Sequence, residues 1–357
     1  MQIFINIVVT ILVFCVLILS HEAGHFFTAL WAKIKVHEFS IGMGPAIFKR
    51  EGKLCRFCIR AFPIGGFVQM EGEDGDSQDE NSFTSKPKWK RFLVLVMGAA
   101  MNILMGFLLI CCINASLSAY PTTTVAEFLP EAVSVESGLQ EGDKITEIDN
   151  YRIFSYMDIS YALTRNSKAE EFDLTVLRNG KKIYLENVSF PKIEDSKYGA
   201  FHDTDFKVFG EKRNFFSVFR YSAGYTLSVS RSIYSFIGSL FTFEADLNQV
   251  SGPIGTAEVI GESATIGLSS LLLVVAMISI NLGVMNLLPF PALDGGRILL
   301  LLIEAVRRKP LNPKVEMALN AIGLFMLMGL MILVAFKDII NLFLEGLLCL
   351  QLLRLAA

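Results

Sequence analysis

The chain has 357 residues, of which 52% are hydrophobic and only 19% charged, where an ordinary soluble domain carries about 25% charged residues. A mean hydropathy of +0.48 excludes a pair of wholly water-soluble domains and assigns much of the chain to lipid. The net charge of −3 excludes nucleic-acid binding through bulk basic charge, because phosphate neutralisation needs clustered Lys and Arg.

In chain order, residues 1–32 hold three ionisable side chains, His21, Glu22 and His25, within a run of Ile, Val, Leu, Phe and small residues. About 20 apolar residues cross a bilayer as helix, so this span is long enough, and no Lys or Arg precedes it as in a signal peptide. Residues 33–70 read as β-hairpins. Phe39, Ile41 and Met43 alternate with other residues, as do Cys55, Phe57, Ile59 and Ala61, with a turn at Glu51-Gly52-Lys53. Gly42, Gly44, Pro45, Pro63, Gly65 and Gly66 punctuate the strands, which suits bulges and close backbone approach. Strands dipping into the membrane need shielding by protein. Cys55 and Cys58 form a lone C-x-x-C with no second pair to complete a zinc ribbon.

An acidic then basic loop, 71–90, leads to a second uncharged segment over 91–119. Between 120 and 196 short strand-like runs alternate with turns, Asn179-Gly180 being a strong hairpin signal, and Ser155–Thr164 reads as a helix, giving a small α+β domain. In the linker 197–262, Phe215–Phe243 carries apolar residues at helical spacing with only Arg220 and Arg231 charged, as in an interfacial amphipathic helix, the other reading being a fifth membrane span that would disturb the charge topology. A third membrane segment, 263–305, a basic loop, 306–316, a fourth segment, 317–344, and a tail, 345–357, follow. Lys and Arg concentrate in the 33–90 and 306–316 connections, which puts both on the cytoplasmic side and the 120–262 region, with both termini, outside. The expected fold class is a polytopic α-helical membrane protein with four transmembrane helices, a membrane-associated β-hairpin region and an inserted α+β domain.

The chemistry concentrates at His21-Glu22-Ala23-Gly24-His25. On a helix, positions i and i+4 share a face, so two imidazoles converge on one metal with a carboxylate beside them. Ionisable groups inside a membrane helix cost about 2.5–3.5 kcal/mol each and demand a compensating partner. A tetrahedral zinc site for hydrolysis needs a third protein ligand and an open position for water. His37 and His202 lie in the hairpin region and the outer polar region, whereas Asp294 ends the uncharged run of the third membrane segment. Around it, Asn286-Leu287-Leu288-Pro289-Phe290-Pro291-Ala292-Leu293-Asp294-Gly295-Gly296-Arg297 contains two prolines and two glycines, which unwind a helix and turn an acid inward. His21 lies about 27 Å along helix 1 from its outer end, and Asp294 comes equally late in its crossing, so both reach the cytoplasmic half.

These motifs resemble those of the site-2 proteases, intramembrane zinc metalloproteases, and in particular their bacterial RseP/RasP-like branch. The likeness extends over essentially the whole chain. It implies Zn2+ ligation by His21, His25 and Asp294, Glu22 as catalytic base, and substrate positioning by Asn286, Pro289 and Pro291. Gly42-Met43-Gly44 matches the membrane-associated β-element thought to contact substrate as an extended strand, and Ser251-Gly252-Pro253-Ile254-Gly255 resembles a further family segment. Ser137-Gly138-Leu139, Gly142-Asp143, Ile145 and Ile148 resemble a bacterial PDZ domain, of which one copy is visible. No clear Gly-Leu-Gly-Phe loop accompanies it, so it is expected to filter substrates by size, with a peptide partner as the other option.

The resemblance implies a bacterial cytoplasmic membrane and transmembrane protein substrates, while the net charge already argues against a nucleic-acid partner. In the chemistry expected of the parts, zinc activates water, Glu22 moves the proton, and a substrate helix unwinds to pair with the hairpin edge. Two other readings compete: an inactive PDZ-bearing scaffold, and a membrane-anchored zincin acting on cytosolic chains.

Overall fold

The computed structural model describes residues 2–73, 77–165, 169–195, 199–242, 250–309 and 311–355. The chain divides into two compact units, Met1–Gly106 with Ser251–Ala357, and Phe107–Val250.

The first unit opens with α1 (Gln2–Trp31), whose 30 residues would span about 45 Å, more than a bilayer core. It continues through β1 (Val36–Glu51), β2 (Arg56–Met70) and most of α2 (Lys88–Asn114). After Ser251 come α5 (Pro253–Ile266), α6 (Leu268–Asn286), α7 (Asp294–Arg307) and α8 (Pro313–Leu355). The intervening second unit holds β3 (Ala119–Phe128), β4 (Lys144–Ile148), β5 (Tyr151–Arg152), α3 (Tyr156–Arg165), β6 (Glu171–Arg178), β7 (Lys181–Ser189), β8 (Lys192–Asp195), β9 (Gly199–His202), β10 (Phe206–Lys212) and α4 (Phe215–Phe241). Among the described residues four helices are long and apolar enough to cross a membrane: α1, α2, α6 and α8.

Small residues let the membrane helices approach closely. A Cβ on Gly24 of α1 would stand 2.1 Å from the Met97 carbonyl of α2, and one on Gly283 of α6 would stand 2.8 Å from the carbonyl of Ala99. Gly106 meets Ile280 in the same manner, and Ser279 donates to the Asn102 carbonyl at 2.7 Å. This is how helices pack where lipid supplies no hydrophobic drive between them.

The two strands of the β-element are long and bent, so each pairs more than once. Residues 38–41 lie between 66–69 on one side and 56–59 on the other, and 46–51 pair with the outer side of 56–60. Gly42, Gly44 and Gly65 make the bends at φ near +85°, a region closed to most side chains. Arg60 crosses the bend: its guanidinium donates to Glu38 at 2.5 Å, to Ser40 at 2.8 Å and to the Gly44 carbonyl at 2.6 Å. Glu38 is only 7% exposed. Burial by itself would raise its carboxyl, but the hydrogen bonds from Arg60 and Cys58 and the charges of Arg60 and Arg56 hold it below its ordinary range.

The second unit is built on the sheet β10-β3-β4-β6-β7, with α3 packed across it over a core that includes Val125, Ile145, Ile159, Leu163, Phe172, Leu174 and Val176. Asn179 and Gly180, both at positive φ, turn β6 into β7 as the dipeptide predicts. Helix α4 starts at a capping box between Asn214 and Ser217, and residue 243 of its expected span lies outside the described residues.

Two expected boundaries shift. The sheet does not end at 196: Phe206–Lys212, read as linker, pairs with β3 because Phe206 is buried in the same core. The third membrane segment does not run unbroken from 263 to 305. Ser263 belongs to α5, Gly267 at φ 150° separates α5 from α6, and α7 is a distinct helix beginning at Asp294.

Candidate active site

Both histidines of the H-E-x-x-H pattern lie on one face of α1, with ring centroids 4.8 Å apart and the rings nearly perpendicular. Asp294 reaches them from the first turn of α7. Its position follows from local chain chemistry. Helix α6 ends at Asn286, the Leu287–Leu293 turn folds back on itself, and Ala292 takes a φ of +74°. A Cβ on Gly295 would come within 2.1 Å of the Leu288 carbonyl, and one on Gly296 within 2.3 Å of the Phe290 carbonyl. Only glycine pairs after the acid allow the turn to lie so close.

The Nε2 atoms of His21 and His25 are 3.2 Å apart, and each is 3.3 Å from Asp294 Oδ2. A tetrahedral zinc site with bonds of about 2.0–2.1 Å has ligand-to-ligand edges of about 3.3 Å, so this nearly equilateral triangle has the dimensions of one face of such a site. Proton bookkeeping agrees. His25 Nδ1 donates to the Val94 carbonyl at 2.8 Å, which leaves Nε2 as a lone pair facing the triangle. Asn286 Nδ2 lies 3.4 Å from Nδ1 of His21; turned so that its oxygen faces the ring, the same amide would accept the N–H there. Asp294 Oδ2 is buried and accepts no hydrogen bond despite two nitrogens at 3.3 Å. Two imidazole nitrogens and a buried carboxylate oxygen held this close are unfavourable unless a cation, proton or metal, joins them.

Glu22 stands beside the triangle, with the 66–68 stretch of β2 next to its side chain. A Cβ on Gly66 would meet Cγ of Glu22 at 3.4 Å, so the 66–68 stretch forms the wall next to the carboxylate. The structure thus brings together His21, Glu22, His25, Asn286 and Asp294. Gly42 and Gly44 lie in the β1 bend against the Phe62 carbonyl and ring, not in the triangle. Pro289 is exposed, and Pro291 rests on α8, where a Cβ on Gly323 would approach its carbonyl at 2.4 Å.

Sequence reasoning missed Gly98 of α2. A Cβ there would stand 2.3 Å from His25 Nε2 and 2.9 Å from His21 Cε1, filling the space that both rings face. A lone glycine in an apolar helix reads only as a packing residue, and its relation to α1 exists only in three dimensions. Gly66 and Val68 were missed as neighbours of Glu22 for the same reason.

Convergent imidazoles, a carboxylate ligand and an adjacent free carboxylate on membrane-type helices define a metal-dependent hydrolase site. The profile of peptidase family M50 matches residues 9–330, and the chain belongs to that family. It is 34% identical to a Clostridium acetobutylicum chain bearing a zinc metalloprotease designation, covering 94% of this chain and 98% of that one. It is 36% identical to a similarly designated chain of Fusobacterium nucleatum, covering 92% and 96% respectively. With the regulator of sigma-W protease RasP of Bacillus subtilis it shares 28% identity over 431 aligned positions, covering 96% of this chain and all of that one.

Proposed function

We propose that this chain is a site-2 zinc metalloprotease of the bacterial cytoplasmic membrane, hydrolysing peptide bonds within or near transmembrane segments in regulated intramembrane proteolysis. The observation that carries the reading is the 3.2–3.3 Å triangle of His21, His25 and Asp294, on two elements that the sequence separates widely. These three side chains hold the zinc. When bound, zinc supplies a Lewis acid that makes a water acidic and polarises the scissile carbonyl.

The remaining work falls to the protein's own residues. The Glu22 carboxylate takes the proton of the attacking water and delivers it to the leaving amine nitrogen. Asn286 fixes the His21 ring and leaves its other amide dipole for the carbonyl oxygen of the substrate. A helical substrate hides its amides, so it unwinds and adds as a strand to the β-element, whose 66–68 stretch already lies against Glu22. Gly42 and Gly44 shape the bend of that element, and Pro289 and Pro291 shape the turn facing the substrate. Substrates are membrane proteins, such as pre-cleaved anti-sigma factors or remnant signal peptides. The β-element and the 306–316 loop face the cytoplasm, in line with their basic residues. The α+β domain over β3–β10 is a PDZ domain outside the cytoplasm that limits the size of external substrate domains.

The test is cleavage of a transmembrane peptide in proteoliposomes with zinc counted in parallel. Glu22→Gln is expected to keep stoichiometric zinc and lose turnover by about 10²–10⁴-fold. Wild-type protein that binds zinc but cleaves only soluble chains would overturn the intramembrane reading, and protein that neither binds zinc nor cleaves would leave a scaffold.

A further inference from the structure

The β-element carries an apolar surface that the catalytic reading leaves unused. A groove of about 460 Å³ is lined by Phe39, Ile41, Phe48, Arg50, Phe57 and Ile59, within the roughly 300–1,000 Å³ typical of small-molecule sites. Phe48, Phe57 and Ile59 are 53%, 40% and 49% exposed, too much for a core. The rest of the lining is Gly52 and Cys58, so the groove is largely apolar with one cation, Arg50.

The depth of the groove can be read from α1. Gly66 packs at Ile18 and Glu22, and Phe39 and Phe57 pack on Phe26, with ring centroids 5.2 and 6.1 Å away. The strands therefore run alongside the last third of α1, with their bends at the Ile18 level and the 51–56 turn displaced toward Trp31. Exposed Trp31 and Trp89 pack edge to face at 5.7 Å, with Lys90 Nζ within 6 Å of both rings. Such a tryptophan and lysine cluster marks a bilayer–water interface. Thus the 49–56 turn sits at headgroup level and the groove descends from it into hydrocarbon. At that turn Arg56 is paired with Glu51 at 2.6 Å. Lys49, Arg50 and Lys53 are exposed and make no ion pair among the described residues.

We infer that this groove binds one anionic phospholipid, with its phosphate on Arg50 aided by Lys49 and Lys53, and an acyl chain along Phe48, Phe57 and Ile59. A cluster of cations without acidic partners at the end of an apolar trough matches a ligand with one anionic end and one hydrocarbon end. Occupied in this manner, the lipid would cover the outer pair of strands and hold the element against α1 while its 66–68 side faces Glu22. The inference rests on the membrane placement proposed above.

The test uses the purified full chain in nanodiscs of phosphatidylcholine, alone or with phosphatidylglycerol. Retained lipid is read by native mass spectrometry, and the KM for a transmembrane peptide is read separately. Wild-type protein is expected to retain one phosphatidylglycerol. Arg50→Gln with Lys53→Gln should reduce that retention about tenfold, since each cation near a lipid surface contributes appreciably. Phe48→Ser should reduce it through the acyl end. A control with the same charge loss, Arg307→Gln with Arg308→Gln, should retain lipid as wild type does, and zinc content should be equal in all variants. Equal loss in the control would show diffuse surface charge only and overturn the site. So would retention indifferent to headgroup, or displacement of lipid by the peptide at equal affinity in wild type and the Arg50/Lys53 variant, which would make the groove a substrate site. Lipid retention needs no turnover, so protein that holds the lipid yet cleaves nothing would sink the protease reading and leave this one standing.

Discussion

Two aspartates with buried carboxylate oxygens, one in each unit, sit in opposite circumstances. Asp158, 1% exposed at the start of α3, is saturated. It accepts from the backbone N–H groups of Phe154 and Ser155 at 2.8 and 2.9 Å, from Ser228 at 2.9 Å and from Arg231 at 2.8 Å. Asp294 has an oxygen equally removed from water, yet it accepts no hydrogen bond and stands 3.3 Å from Nε2 of both histidines. The first carboxylate has its lone pairs consumed by protein and so serves the fold, fastening α4 to α3. The second has one left open at 3.3 Å from two imidazoles, the arrangement that the proposed zinc site requires. Satisfied against orphaned polar groups distinguish structural acids from working ones more sharply than burial does.

The largest effect that would break this contrast is at the triangle. Replacing His21, His25 or Asp294 by Ala should each abolish stoichiometric zinc and lower cleavage by at least about 10³-fold, with the helical circular dichroism kept. Asp158→Asn should leave zinc and turnover intact. Zinc retained in Asp294→Ala, or lost in Asp158→Asn, would erase the distinction. Next in size, Asp158→Ala strands the Arg231 guanidinium and three further donors, and should destabilise the second unit by about 3 kcal/mol, read as earlier proteolysis within 120–240. Gly98→Ala places a methyl where the rings meet and should weaken zinc binding about 10- to 100-fold by competitive chelator titration, as should Asn286→Ala through the His21 ring. In the β-element the effect is smallest. Glu38 is held below its ordinary value of 4.5, so its contribution is present above that pH and is lost as pH falls through the lower folded value. Thermal unfolding of the wild type should fall off below about pH 4.5, while Glu38→Gln starts lower at neutral pH and shows a flatter acid limb.

Local signals carried much of this into the sequence. The i, i+4 histidines need only helical periodicity, the Pro-Gly content of 286–297 announces a broken helix, and Asn179-Gly180 fixes a hairpin by backbone preference alone. The pairing of Asp294 with the histidines was reachable through depth in the bilayer, because both motifs come late in their crossings. What escaped depends on contacts between distant segments. Gly98 carries no side chain to suggest a role, Gly66 and Val68 become neighbours of Glu22 only when β2 folds along α1, and Phe206–Lys212 finds β3 across about eighty residues. The break at Gly267 escaped because an uncharged run reads as continuous whether or not its backbone is.

The triangle also sets a schedule. His25 leaves the ribosome roughly 270 residues before Asp294, and at about 5–20 residues per second that interval is on the order of 15–50 s. Throughout it the nascent chain has only two of the three ligands proposed for zinc, so on that reading it is still chemically silent. On the same reading its cutting power arrives only with its last fifth.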